Sequence, residues 1–178
     1  GWRVAVNNSP ERKFSDTPTT LFLLFVVVSG FVVEALRILP TAGDPAGAVT
    51  NLTLVQPNAS LTLADNLVKG NLYVNNQGGT STNNTLTVGA QTLNGSMDLR
   101  AESGITATGD WNVHTTANLN NTSGLALGNK ISVGGTTTLT AGAGIGDISL
   151  NNVLNNINNV TVSSGRDVTV KSAYSELK

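Results

Sequence analysis

The sequence predicts an all-β chain: a parallel β-helix, or solenoid, preceded by one hydrophobic helix. Three observations lead there. Leu, Val and Ile stand at alternate positions in short runs bounded by Gly, Asn, Asp and Ser, which is the pattern of half-buried strands. The centres of these runs recur roughly every ten residues, so a coil of about 20 residues would hold two or three of them. Only 4% of the residues are aromatic, whereas a sandwich of two sheets commonly fills its core, about 10 Å thick, with large rings. A narrow coil interior takes small and branched side chains instead.

The chain has 178 residues, room for one domain with an appendage. Its composition changes at Pro40–Gly47, Pro-Thr-Ala-Gly-Asp-Pro-Ala-Gly, which is turn and linker chemistry. Three segments follow from that break: a hydrophobic N-terminal segment over 1–39, a linker over 40–48 and a repetitive solenoid over 49–178. Leu21–Val33 carries no charge and continues through Glu34, Ala35, Leu36, Arg37, Ile38 and Leu39. With that extension it nears the roughly 20 residues that span a hydrocarbon core. Glu34 and Arg37 stand three apart and can pair near the end of the span. A membrane helix over 17–39 is one reading. An export signal, with Arg3, Arg12 and Lys13 ahead of the apolar run and Pro45-Ala-Gly-Ala48 after it, is another. A buried element of a soluble domain is the third. The chain opens on Gly1, which fits a fragment or a processed product.

After the linker the expected strands come in order. The first seven are Val49–Val55, Ser60–Ala64, Asn71–Asn75, Thr85–Val88, Ser96–Arg100, Gly104–Thr108 and Asn112–Thr116. The others are Gly124–Leu127, Lys130–Val133, Thr136–Thr140, Asp147–Leu150, Asn159–Val162 and Asp167–Lys171. Asn is frequent between them, as at Asn75-Asn76, Asn83-Asn84, Asn120-Asn121 and Asn151-Asn152. Asn tolerates left-handed backbone, and stacked Asn side chains can form hydrogen-bonded ladders between coils. About 130 residues at about 20 per coil give six or seven coils at about 4.8 Å each, a rod near 30 Å long. Its end coils expose strand edges that need a cap.

Two resemblances add to this reading. The phrases Gly146-Asp-Ile-Ser-Leu-Asn-Asn152, Asn159-Val-Thr-Val-Ser-Ser-Gly-Arg-Asp-Val-Thr-Val170 and Leu125-Ala-Leu-Gly-Asn-Lys-Ile-Ser-Val133 resemble the passenger repeats of bacterial large exoproteins of the filamentous haemagglutinin type. Residues 100–172 carry the likeness best, and 49–99 more loosely. It implies a right-handed parallel β-helix, secreted and used in surface attachment. Phe14–Arg37 resembles one span of membrane cytochrome subunits of the nitrate reductase and heterodisulfide reductase type. Those subunits hold haem on histidines within several helices, whereas this chain has only His114, far outside the span. The haem function does not transfer, and no cofactor is expected.

The charge balance excludes other classes. Ten basic and eleven acidic residues supply no positive field for phosphates, so nucleic acid is not an expected partner. Without cysteine there is neither a disulfide framework nor a thiolate metal site. His114 in Asp110-Trp-Asn-Val-His-Thr-Thr116 should face opposite to Val113, toward solvent, and makes no triad. Asp98, Glu102, Asp110, Asp147 and Asp167 are scattered, with no acid–base pair apparent from spacing. Ala141-Gly-Ala-Gly-Ile-Gly-Asp147 lacks the Lys-Ser or Lys-Thr of a phosphate loop and the tandem copies of a calcium repeat, so it reads as a turn between coils. Glycosylation sequons at Asn51, Asn58, Asn83, Asn120, Asn121 and Asn159 follow from an Asn- and Thr-rich composition.

No catalytic or metal site is therefore expected. The expectation is an exported, cell-surface or secreted structural or adhesive module, anchored in a membrane if residues 17–39 are retained. Tyr73 and Trp111 would be its binding residues, meeting carbohydrate or protein on a host or neighbouring cell, and self-association is open to it. The alternatives are a filament or pilus subunit that assembles through its apolar helix, a β-helical carbohydrate-active enzyme, and a fragment of a membrane redox subunit.

Overall fold

The structure, a computed structural model, describes residues 3–7, 36–38, 51–65, 68–142 and 144–173, with the backbone alone for 3–7 and 36–38. The apolar run 21–33 and the linker lie outside the described residues. The strands are β1 (Arg3–Asn7), β2 (Leu36–Ile38), β3 (Asn51–Val55), β4 (Leu61–Leu63), β5 (Leu72–Asn75), β6 (Thr85–Val88), β7 (Gln91–Leu93) and β8 (Met97–Ala101). They continue as β9 (Gly104–Ala107), β10 (Trp111–Val113), β11 (Ala117–Asn121), β12 (Leu125–Leu127), β13 (Ile131–Thr140), β14 (Ile148–Leu150), β15 (Asn156–Ser164) and β16 (Val168–Val170).

Each strand pairs not with its neighbour in sequence but with the strand one coil away. In an all-β chain, parallel pairing over such short connections is the signature of a solenoid. The result is a parallel β-solenoid of about six turns. Face one stacks β3, β5, β8, β11, the second half of β13 and the end of β15. Face two stacks β2, β4, β6 and β9, then β12, β14 and β16, with β12 lying against β9. Face three stacks β7, β10, the first half of β13 and the start of β15. β1 departs from the rule and runs antiparallel along β3.

Register turns the alternation of the sequence into columns. On face one Leu52, Leu72, Met97, Ala117, Thr137 and Val160 lie above one another, so the coils take 20, 25, 20, 20 and 23 residues in turn. Beside them run Leu54, Val74, Leu99, Leu119, Leu139 and Val162. Face two contributes Leu61, Leu86 and Ile105, then Leu125, Ile148 and Val168. Face three contributes Leu93, Val113, Val133 and Ile157. Nearly all of these side chains are buried and form one continuous aliphatic stack, interrupted by Trp111. Burial of a Leu or Ile side chain contributes about 1.5–3 kcal/mol, so the stack is the main source of stability.

The corners hold buried amides. Asn76, Asn121 and Asn155 are fully buried. Asn76 Nδ2 donates to Thr85 O, and its Oδ1 accepts from Glu102 N. Asn155 Nδ2 donates to Lys171 O, and its Oδ1 accepts from Ile131 N. These side chains supply the partners that the strand ladder cannot provide where the backbone turns. The expected amide ladder is short: Asn51 Oδ1 accepts from Asn71 N and Nδ2, and Asn71 Oδ1 accepts from Ser96 N one coil further on. Most corner asparagines bond to main chain instead.

The structure differs from the sequence reading at two places near the start of the chain. Leu36–Ile38, counted there into the apolar span, is the first strand of face two and pairs in parallel with β4, Leu36 with Leu61 and Ile38 with Leu63. The parallel stack therefore takes in residues ahead of position 49. Arg3–Asn7, counted into the hydrophobic segment, is also a strand. Among the described residues no helix is long and apolar enough to cross a membrane.

Candidate binding face

Because side chains alternate across a strand, face one presents its outward residues in columns as regular as those inside. One column reads Thr53, Tyr73, Asp98, Asn118, Thr138 and Thr161. The next includes Val55, Asn75, Arg100, Asn120 and Thr140. Their middle is a connected polar cluster. Arg100 holds Asp98 with two bonds, Nε to Oδ1 at 3.0 Å and Nη2 to Oδ2 at 2.9 Å. Asn118 Nδ2 donates to Asp98 Oδ1 at 3.0 Å. The guanidinium carbon of Arg100 lies 5.4 Å from the centre of the Tyr73 ring, over its face, within range of a cation–π contact.

This cluster carries little net charge. The Asp98 carboxylate, through its hydrogen bonds first, pushes the Arg100 guanidinium up from its ordinary value. The pair is about one-third exposed, so its contribution to stability stays within about 1 kcal/mol. Its geometric effect is larger, since two planar groups and a ring hold one another in place. Beside it lies a shallow depression of about 340 Å³, lined by Asn51, Thr53, Asn71, Tyr73, Ser96 and Asp98. Hydroxyls, amides and one carboxylate, with an aromatic edge, can exchange hydrogen bonds with a polar ligand laid along the face.

Of the two expected binding residues, Tyr73 stands on this face, half-buried. Trp111 does not. It is 1% exposed, and its indole N–H donates to Gly89 O at 3.0 Å. The expected strand over 112–116 left Trp111 just outside it, at a turn. The actual strand is Trp111–Val113, in which Trp111 shares the inward parity of Val113 and stacks between Gln91 and Ile131. The two-residue spacing from Val113 was the signal that places it inside. Arg100, Asp98 and Asn118 were not expected as binding residues. Register alone unites Asn118 with Asp98, and nothing in a single run of sequence reveals it.

The remaining polar candidates are spread over the rod. His114 is exposed. Glu102 Oε2 accepts from Gly78 N, and Asp110 Oδ1 accepts from Lys130 N. Asp147 and Asp167, twenty apart in sequence, both meet Arg166: bidentate bonds of 2.9 and 2.8 Å to Asp147 and a looser 3.6 Å approach to Asp167. The Arg166 guanidinium holds the Asp147 carboxyl below the usual carboxylate range, which suits an ion pair better than a general acid. Among the described residues no three His, Asp or Glu side chains come together as a metal site. Asn121 is fully buried, so its sequon is closed in the folded chain.

Two overlapping stretches, residues 79–131 and 126–164, match a family model described as repeats of unknown function (DUF5649). They run from the loop before β6 to the end of β15 and cover coils whose registers are described above. No curated protein and no solved structure matches the chain. The match and the geometry agree on a repeat protein with a β-solenoid fold.

Proposed function

We propose that this chain is an exported, surface-associated structural and adhesive module, a non-catalytic rod that meets carbohydrate or protein through face one. The observation that carries the proposal is the ordered outward cluster of Tyr73, Asp98, Arg100 and Asn118 on a stacked parallel sheet. Such a face needs no folding on contact, because its side chains already hold one another, and preorganisation reduces the entropy lost on binding. The resemblance of 100–172 to exoprotein passenger repeats of the filamentous haemagglutinin type supports the same reading, with a right-handed coil. The apolar stretch within 17–39 would serve as anchor or export signal.

The test is binding of the full chain to an array of neutral and acidic glycans and of extracellular-matrix proteins, repeated with Tyr73→Ala and Asn118→Ala. The expected result is retention on at least one surface and a roughly tenfold or greater loss in each variant, the scale of a truncated contact residue. Retention that neither substitution changes would move the binding away from face one. No retention on any surface would remove the adhesive part of the proposal.

A further inference from the structure

The shallow depression on face one has a direction. Its polar lining comes in pairs, Asn51 with Thr53, Asn71 with Tyr73 and Ser96 with Asp98, one pair from each of successive coils. It therefore runs across the strands and along the rod. Adjacent coils are about 4.8 Å apart, a step close to the rise of one ring in an extended sugar chain.

One wall is already linked along that axis. Asn71 Nδ2 donates to Asn51 Oδ1 at 3.1 Å, Ser96 N donates to Asn71 Oδ1 at 2.9 Å, and Ser96 Oγ lies 3.0 Å from Thr116 Oγ1. Amides and hydroxyls joined in this way stand in fixed orientations, so less freedom is lost when they bind. The opposite wall carries Thr53, Tyr73 and Asp98, with Arg100 over the tyrosine ring.

The charges say what fits between the walls. Asp98 is the only ionised group among the lining residues. Both its oxygens accept from Arg100, and one accepts from Asn118 as well. An anionic ligand would meet the carboxylate at close range, and a cationic one would have to displace the guanidinium from two short bonds. An uncharged ligand meets neither cost. The leucines of the lining, Leu52 and Leu72, are 3% and 2% exposed, so the depression lacks the apolar centre that anchors a protein partner. What it offers is hydroxyls, amides and one aromatic ring, and a polyhydroxylated chain can both donate to these groups and accept from them.

We infer that the depression holds a neutral polysaccharide chain running along the rod, about one sugar ring to each coil. The inference rests on the reading of face one as a binding face, and adds the class of ligand, its lack of charge and its direction.

The experiment measures, by calorimetry, the binding of the full chain to cello-, xylo-, manno- and galacto-oligosaccharides of increasing length, beside sulfated and carboxylated glycans and extracellular-matrix proteins. At least one neutral series should bind, with an affinity that rises with length and levels at about three rings, the span of the depression at about 4.8 Å per coil. That affinity should change less than about twofold between about 0.05 and 0.5 M salt, because no ion pair forms to be screened. Thr53→Ala, at an exposed position of the wall, should weaken it about threefold to tenfold, the scale of one lost hydrogen bond. Thr161→Ala, in the same outward column but outside the depression, should leave it unchanged. Binding only of an acidic glycan or a matrix protein, lost in Tyr73→Ala, would overturn the inference while the binding role of face one stood. Neutral binding that does not grow with length, or that Thr53→Ala and Thr161→Ala affect equally, would also overturn it. No binding to any probe would remove both.

Discussion

Replacing Thr137 with Val should make the protein more stable. Thr137 is fully buried in the inward column of face one, between Ala117 and Val160, and its hydroxyl oxygen has no hydrogen-bond partner. A hydroxyl buried in that way costs about 1–3 kcal/mol, judged from mutational data. Val keeps the branched shape and strand preference of Thr, and its extra methyl adds about 0.8 kcal/mol of apolar burial. Some of that gain is offset by imperfect packing, which leaves an expected stabilisation of about 1–3 kcal/mol. In a chain of this size it corresponds to a rise in Tm of roughly 2–10 °C. Urea unfolding followed by far-ultraviolet circular dichroism would measure it, with the transition slope checked because solenoids need not unfold in one step. Thr138→Val, one residue along and facing outward, is the control and should stay within about 0.5 kcal/mol. A destabilised Thr137→Val, or equal shifts in both variants, would refute the assignment of an unpaired hydroxyl in this column.

Other changes probe the corners and the surface. Asn155→Ala removes the acceptor of Ile131 N and the donor to Lys171 O from a fully buried site, and should cost about 2–4 kcal/mol in the same urea assay. Gly146→Ala should disorder the turn before β14, since an added Cβ would lie 1.7 Å from Ser123 O; faster amide exchange at 147–150 would report it. The Asp147 carboxyl titrates below its ordinary value when folded, so its stabilising contribution is present above the ordinary carboxylate pKa and is lost as pH falls through the lower, folded one. An NMR titration should show that lowered midpoint in the parent and return it toward the ordinary value in Arg166→Ala, with little change in stability because the pair is exposed.

Alternation of side chains made much of the rod legible in advance. Thr85–Val88 is a strand with the bounds expected, and most of the other expected runs contain one. Two strands were missed for lack of apolar signal. Gln91–Leu93 has a single aliphatic, because Gln91 itself is buried there, its Nε2 donating to Ala64 O. Ala117–Asn121 reads Ala-Asn-Leu-Asn-Asn, with a buried amide closing the strand at Asn121. The runs expected at 130–133 and 136–140 are one strand, Ile131–Thr140, that bends from face three to face one at Gly134-Gly135. A Cβ at Gly134 would come within 2.2 Å of His114 O, so the bend depends on backbone passing close to backbone, which no hydropathy pattern encodes. Of the outward cluster on face one, only Tyr73 was legible. Its other members are 25 or more residues further along the chain and meet through coil registers of 20 and 25 residues, and a loop length that varies from coil to coil hides such meetings from any fixed period.

The main-chain ladder that joins each coil to the next also determines how the rod would answer tension. Traction along its long axis loads these bonds one layer at a time, so the structure should peel and not snap. Each released layer of 20–25 residues would lengthen the tether by about 65–90 Å. A short column of this kind, pulled between two attachment points, could absorb repeated jolts as a sequence of small yields while the layers still stacked keep their grip.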